Sequence, residues 1–217
     1  MGILLNAVEI RILGCLIEKQ LTTPDYYPLT LNSLLAACNQ KSNRDPVMQL
    51  SEAEVLAGVN SLIEKTLVRE KMLPGSRTAK YEHKLSGTLT REYDFSQQQL
   101  AILSVLFVRG PQTLGEIKGR TQRMAEFQDL NRLESYLDEL QQHPKGPFVK
   151  ILPKQPGRRE ARYAHTFGEV SDETLEETQA TPDTNELDYI KAELEDLRHE
   201  VNTLKSQIQT ILKSGEL

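Results

Sequence analysis

The chain has 217 residues, 38% of them hydrophobic, with no tryptophan and a formal net charge of −5 at pH 7. This length allows one large domain or two small ones. The longest uncharged apolar run, residues 101–108, is interrupted by Ser104, so no segment is predicted to span a membrane. Glu9 and Arg11 break the apolar N-terminus, which is unlike a secretory signal peptide and predicts a cytoplasmic protein.

The negative charge is unevenly distributed along the chain. Residues 169–217 contain 13 acidic and 4 basic side chains, which leaves 18 acidic and 22 basic ones, net +4, in residues 1–168. A mildly basic body followed by an acidic tail keeps nucleic acid among the expected partners of the body.

Three helices are predicted at the start of the chain. The first carries apolar residues at helical spacing within "EIRILGCLI" (9–17), and the second begins at "TLNSL" (30–34). The third follows Ser51 and Glu54, which form a capping box ahead of an apolar stripe.

The connection "NQKSNRDPVMQL" (39–50) between the second and third helices is unusually long for a helix-turn-helix. Long loops in compact domains are often functional, and Lys41 and Arg44 could reach a phosphate. Asn39 and Asp45 are equally good local turn formers. Two interpretations stay open, a nucleic-acid-binding loop and a structural turn held by Asn and Asp side chains.

A ten-residue pattern closes each half of the body. "PGSRTAKYEH" (74–83) recurs as "PGRREARYAH" (156–165), with six identical positions at a constant offset of 82. Each copy follows a predicted first strand (67–73 and 148–153), so Pro-Gly is predicted to turn the chain into return strands 78–85 and 160–167.

The second half repeats the helices of the first. "QLAILSVLF" (99–107) matches the first helix, "TLGEI" (113–117) starts the second, and leucines at 130, 133, 137 and 140 supply the third. Three helices followed by a hairpin is the order of a winged helix, a variant of the helix-turn-helix. The predicted fold is therefore mainly α with small β-hairpins (α+β), with winged-helix domains at 1–85 and 97–167 joined by a linker at 86–96.

The C-terminal part changes character twice. Residues 168–186 are acidic and poor in large apolar residues, which predicts a disordered linker. Residues 187–213 then carry apolar residues at alternating spacings of three and four, typical of a coiled-coil helix, with a single helix folding back on the body as the alternative. The predicted homodimer contacts are Leu187, Ile190, Leu194, Leu197, Val201, Leu204, Ile208 and Ile211.

The stretch "LGCLIEKQLTTPDYYPLTLNSLLAACNQKSNRDPVMQLSEAEV" (13–55) closely resembles the YceH family of bacterial proteins. "RGPQTLGEI" (109–117) and "PGRREARYAH" (156–165) are similar to the second half of the same family. The resemblance covers residues 7 to about 167 and implies tandem winged-helix domains in the bacterial cytoplasm. The family resembles transcription regulators in fold, and fold alone does not define function.

No constellation for catalysis is found in the sequence. There is no Gly-rich phosphate loop, no Gly-x-Ser-x-Gly elbow and no pair of histidines at helical spacing. We therefore predict no catalytic residue, no metal site and no cofactor. Cys15 and Cys38 lack the paired spacing of zinc or redox motifs and are predicted to be small buried residues.

The repeated aromatic and imidazole residues favour a structural role. His83 and His165 are predicted to be packed and hydrogen-bonded. Tyr81 and Tyr163 are predicted to anchor each hairpin on the helices, with stacking on nucleic-acid bases as the alternative.

Basic residues supply the predicted contact with duplex DNA. The hairpin segment 145–165 alone carries a net charge of +5, although a solvated surface hairpin is the alternative. The third helices carry mostly acidic residues, which disfavours base-specific readout. The predicted contact residues are Lys41, Arg44, Arg77, Lys80, Lys118, Arg120, Arg123, Lys150, Lys154, Arg158, Arg159 and Arg162.

The sequence thus favours a non-enzymatic DNA-associated protein, a candidate transcriptional regulator that dimerises through its C-terminal helix. The alternative is a protein-interaction scaffold that uses the winged-helix surfaces and the loop 39–50.

Overall fold

The computed structural model describes residues 4–72, 78–87, 93–154 and 160–168. In this part of the chain the protein is mixed α/β, with six α-helices and two small antiparallel sheets. None of these helices is long and apolar enough to cross a membrane. Both predicted Pro-Gly turns, most of the predicted acidic linker and all eight predicted coiled-coil contacts lie outside the described residues.

The first half begins with three helices that have side-chain caps. Asn6 and Glu9 form a capping box at the first helix, and Ser51 and Glu54 form the predicted one at the third. Thr30 caps the second helix by accepting from the backbone N–H of Ser33. The elements are α1 (Ala7–Thr22), β1 (Leu29–Thr30), α2 (Leu31–Cys38), α3 (Glu52–Glu64), β2 (Val68–Lys71) and β3 (Lys80–His83), with a 3-10 turn at Pro24–Tyr26.

The second half repeats this order of elements. Capping boxes of Ser96 with Gln99 and of Thr113 with Glu116 start its first two helices, and Asp129 caps the third. The elements are α4 (Gln97–Arg109), β4 (Gln112–Thr113), α5 (Leu114–Thr121), α6 (Leu130–Gln141), β5 (Val149–Leu152) and β6 (Arg162–His165). Both predicted hairpins are confirmed as antiparallel strand pairs, β2 with β3 and β5 with β6.

Each sheet has a third strand that sequence patterning did not predict. The strand orders are β1-β3-β2 and β4-β6-β5, with Leu29 paired to Tyr81 and Gln112 paired to Tyr163. A strand of two residues is too short to show alternation, so the sequence carries no periodic signal for it. These short strands place the start of α2 and α5 directly beside the hairpins.

The two halves pack through their first helices. A Cβ added at Gly14 of α1 would lie 2.8 Å from the Cβ of Phe107 and 2.8 Å from Cγ1 of Val108 in α4. The Ser104 hydroxyl donates to the Gly14 carbonyl oxygen at 3.1 Å, buried in the same contact. Because only glycine permits this approach, α1 and α4 bring the apolar faces of both halves into one core within the compact unit Met1–Val170.

Further backbone contacts join the ends of the two halves. The Leu5 N–H donates to the Phe167 carbonyl at 2.6 Å, and the Asp45 N–H donates to the Val108 carbonyl at 2.8 Å. The first bond ties the start of the body to the end of the second hairpin. The second ties the long loop of the first half to α4.

Candidate nucleic-acid interface

The second sheet presents cations on one face. Residues opposite one another in a sheet share a face, as do residues two apart in a strand. Lys150 lies opposite Ala164 and Arg162 lies opposite Leu152, so Lys150 and Arg162 belong to the same face. Lys150 and Lys154 are exposed, and Arg162 is half-buried.

The cations of this face are not neutralised by neighbours. Among the described residues, neither Lys150 nor Arg162 has an ion-pair partner. The Nε atom of Arg162 is buried and has no hydrogen-bond partner within the same part of the chain. Lys150 and Arg162 therefore carry positive charge that no ion pair compensates within the described residues.

The corresponding face of the first sheet contains a carboxylate that pairs with two cations. Arg69 lies opposite Glu82 and Lys71 lies opposite Lys80. Arg69 forms a short ion pair with Glu82, and Lys71 lies 3.8 Å from the same carboxylate. Glu82 is only 9% exposed although strict alternation would leave it facing solvent, because these two cations cover it.

The two faces differ at two positions, since Glu82 corresponds to Ala164 and Lys71 corresponds to Leu152. The Arg69–Glu82 pair of β2 and β3 corresponds to the Lys150–Ala164 pair of β5 and β6. Alanine thus stands in the second half where the first half has the carboxylate. The predicted contact residue Lys80, half-buried in β3, therefore shares its face with an ion-paired group, whereas Lys150 does not.

Of the predicted contact residues in and just after α5, one is paired with a carboxylate and two are not. Arg120 donates to the Gln112 side chain in a short hydrogen bond and lies 3.8 Å from Glu116. Lys118 is half-buried, Arg123 is exposed just beyond the helix, and neither has an ion pair among the described residues. Lys118 and Arg123 are therefore the α5 cations available to an external anion.

Arg44 requires a correction to the sequence-based prediction. Its side chain is buried, with the residue 6% exposed, and its terminal nitrogens donate to the Glu18 carboxylate at 2.6 and 3.1 Å. Its Nε donates to the Ala37 carbonyl at 3.1 Å. A guanidinium committed in this way cannot reach a phosphate.

The loop 39–50 is held from inside. The Asn39 side chain accepts from the Leu50 N–H and donates to the Leu50 carbonyl, both at 2.8 Å. Arg11 of α1 donates to the carbonyls of Cys38 and Pro46. These bonds favour the structural interpretation of the loop, in which Lys41 remains as an exposed cation.

Three of the predicted contact residues have no structural account. Arg77, Arg158 and Arg159 lie outside the described residues.

The two repeated histidines differ in their hydrogen bonding. His83 accepts at Nδ1 from the Leu85 N–H at 3.2 Å, so its proton lies on Nε2, which pairs with Gln20. This is the packed, hydrogen-bonded histidine that the sequence predicted. His165 packs edge-on against Phe107, but its buried Nδ1 has no partner among the described residues. Burial lowers the pKa of each histidine to about 4.

Both repeated tyrosines lie in the core. Tyr81 is 6% exposed and Tyr163 is 7% exposed, on the middle strand of each sheet. Such burial favours the hairpin-anchor interpretation over base stacking, because neither ring offers a free face.

The two cysteines meet although they are far apart in sequence. Cys15 and Cys38 are free and buried, and the Cys15 Sγ lies 3.4 Å from the Ala37 carbonyl. A hydrogen bond between the two thiols and their burial raise the pKa of Cys38. They behave as small core residues, as predicted, but as a contacting pair.

Sequence reasoning missed Arg69, Lys71 and Glu82 as an ion-paired group. Part of the signal was available, since "KYEH" has a glutamate where "RYAH" has an alanine. It also left Arg132 out of the predicted contact residues, although this exposed α6 cation lies over the Tyr136 ring at 4.8 Å.

Comparison with known proteins gives a consistent family. The DUF480 family, described as a protein of unknown function, matches residues 5–158. A UPF0502 protein of Aliivibrio fischeri strain MJ11 is 47% identical over 211 residues, covering 95% of this chain and 97% of the relative. UPF0502 proteins of Vibrio parahaemolyticus and Aeromonas hydrophila are 44% and 43% identical, covering 98% and 97% of this chain and 100% and 96% of the relatives. The chain therefore belongs to the DUF480 (UPF0502) family of uncharacterised bacterial proteins.

Proposed function

We propose that this chain is a non-enzymatic, cytoplasmic DNA-associated protein with a role in transcriptional regulation. In this proposal its halves are two winged helices, and the second hairpin is the wing that contacts duplex DNA. Three helices and a three-stranded sheet in each half, with the first strand between the first two helices and the hairpin after the third, support the assignment of the fold.

The observation that carries the proposal is the difference in ion pairing between the two sheets. Lys150 and Arg162 form no ion pair among the described residues, whereas Arg69 and Lys71 on the equivalent face of the first half both pair with Glu82. Neutralising phosphates with unpaired cations releases counterions, which drives sequence-independent binding to a duplex. The exposed Lys154 and Arg123 extend the same charge.

The mode of contact follows from the charges of the third helices. Exposed acids on α6 include Glu134, Asp138 and Glu139, and those on α3 include Glu52 and Glu64. These carboxylates would repel phosphates if either helix entered the major groove. We therefore assign the contact to the DNA backbone, with the hairpin and α5 of the second half as the contacting elements.

The experiment is a titration of a fluorescent duplex at several salt concentrations. Changing Arg158, Arg159 and Arg162 together to Ala is expected to weaken binding and to flatten the salt dependence. Each lost phosphate contact lowers the slope of log K against log salt by about 0.9. Lys71→Gln, which removes a cation already paired with Glu82, is the control and is expected to change the slope less.

The competing function is a protein-interaction scaffold, for which the acidic faces of α3 and α6 would be the contact surfaces. A wild-type protein that fails to bind duplex at low salt would remove the DNA proposal. Crosslinking in cells followed by recovery of the chain would then show protein rather than nucleic acid as the partner.

A further inference from the structure

A cleft of about 580 Å³ opens in the second half, between α5, the connection to α6, and α6 itself. Gln98 of α4 contributes to its wall. Its volume lies in the range of sites that hold small molecules. The residues proposed for duplex contact on the second sheet do not line it.

Two cations line the cleft, Lys118 from α5 and Arg132 from α6. Neither forms an ion pair among the described residues, whereas Arg44 and Arg120 are both paired to carboxylates. Glu126 also lines the cleft and is the acidic residue of the wall. Unpaired cations on two neighbouring helices are suited to a phosphate.

Two aromatic rings lie beside these cations. Phe127 and Tyr136 are half-buried, with ring centroids 6.0 Å apart and planes at 78°. The Arg132 guanidinium lies 4.8 Å from the centre of the Tyr136 ring. Aromatic rings and a stacked guanidinium together form the kind of surface on which nucleobases stack.

Amide side chains complete the wall of the cleft. Gln98, Gln122 and Gln128 each offer both a donor and an acceptor. Because each amide can donate or accept, these side chains can form hydrogen bonds with the edge of any base and do not select one base over the others.

We propose that this cleft binds a single nucleotide, with its base on the aromatic pair and its phosphate at Lys118 and Arg132. The nucleotide comes either free in solution or as an unpaired nucleotide of a strand. This site is separate from the duplex surface of β5 and β6 and shares only Lys118 of α5 with the duplex proposal, so its test uses Arg132 and Tyr136.

The test is calorimetric titration of the full-length protein with AMP and GMP, with adenosine and inorganic phosphate as the two partial ligands. At least one nucleotide is expected to bind with a Kd of about 1 mM or tighter. It should bind more tightly than either partial ligand, because base and phosphate are held together. A single-stranded oligonucleotide that displaces it identifies a strand as the source, and failure to displace it identifies the free nucleotide.

Matched variants separate the contributions of the phosphate-binding cation and the base-stacking ring to nucleotide binding. Arg132→Gln is expected to weaken nucleotide binding at least about tenfold, because a charged hydrogen bond is lost. Lys150→Gln makes the same change of charge on the second sheet and is expected to leave nucleotide binding unchanged. Tyr136→Leu is expected to weaken binding about fivefold or more through lost stacking, whereas Tyr136→Phe retains it.

The proposal is overturned if AMP, GMP and the oligonucleotide all fail to bind at millimolar concentration. It is also overturned if Arg132→Gln and Tyr136→Leu, with native melting temperatures, bind nucleotide like the wild type. Neither result affects the duplex proposal, which depends on the salt dependence of duplex binding and on Lys150.

Discussion

Burial decides what individual charged and polar residues of this protein can do. Arg44 and Lys41 lie three positions apart in one loop, yet Arg44 is buried against Glu18 and Lys41 is exposed. Removing one partner of a buried pair leaves the other charge without compensation, which is strongly destabilising. The Arg44 side chain therefore belongs to the architecture of the first half, and Lys41 is the cation of this loop that meets solvent.

His83 and His165 are expected to make stability fall in mild acid. Burial depresses their pKa from 6.5 to about 4, so the folded state binds protons less readily than the unfolded state. The free energy of unfolding is therefore not reduced by these histidines above pH 6.5, and it decreases as the pH falls from 6.5 toward 4. The difference amounts to about 3 kcal/mol per histidine when both states are fully titrated.

Urea unfolding at pH 7, 5.5 and 4.5 measures this effect. His83→Gln keeps a donor and an acceptor for Gln20 and Leu85 without titrating, so its free energy of unfolding should fall less between pH 7 and 4.5 than that of the wild type. Equal losses in both proteins would show that His83 does not titrate in this range.

Tyr81→Ala and Tyr163→Ala are expected to act through stability. Each ring is buried on the middle strand of its sheet, and loss of such an aromatic residue costs about 3 kcal/mol or more. Scanning calorimetry should show lowered melting temperatures, with Phe at either position restoring most of the loss. A Tyr163→Ala protein with native melting temperature but no duplex binding would instead favour the stacking role.

At the scale of elements, the contact between α1 and α4 depends on one glycine. Gly14→Ala places a methyl group 2.8 Å from the Cβ of Phe107, and neither helix backbone can yield easily. We expect a loss of about 1–3 kcal/mol in the free energy of unfolding. Gly119→Ala, in α5 with nothing within 4 Å, is the control and should stabilise the protein by about 0.5–1 kcal/mol.

Chemical denaturation of the two glycine variants provides the comparison. If Gly14→Ala proved as stable as the wild type, α1 and α4 would not be in close contact and the shared core would be incorrect.

The regular elements could be predicted from sequence, and the contacts between them could not. Helical periodicity and the Ser51–Glu54 capping box located α1 and α3, and the ten-residue repeat located both hairpins. β1 and β4 could not be predicted because a strand of two residues is too short to show the alternation that identifies a strand. The cleft and the Arg44–Glu18 pair join residues distant in sequence, so local patterns contain no signal for them.

At the scale of the whole molecule, residues 187–213 are predicted to form a parallel two-stranded coiled coil. In this arrangement Glu193 faces Arg198 of the partner helix and Glu200 faces Lys205, whereas an antiparallel pair opposes like charges. Each such exposed pair adds only about 0.5 kcal/mol, so the eight apolar contact residues supply most of the free energy of association.

Sedimentation velocity is expected to show a dimer at micromolar concentration. Changing Leu197 and Leu204 to Asp should give a monomer, while the same substitution at the outward positions Ala192 and Ser206 should leave the dimer intact. A monomeric wild type would contradict the prediction and would support a helix folded back on the body.

The most direct test of the duplex surface introduces into the second sheet the carboxylate that pairs with cations in the first. Ala164→Glu places a carboxylate opposite Lys150, as Glu82 lies opposite Arg69, and Ala164→Gln is its uncharged control of similar size. Duplex affinity should be measured against salt concentration for both variants, with melting temperatures to establish that they fold. We expect Ala164→Glu to bind more weakly than Ala164→Gln, with a slope of log K against log salt lower by about 0.9 or more. Equal slopes and affinities for the two folded variants would contradict the assignment of the second sheet as the DNA-contacting surface.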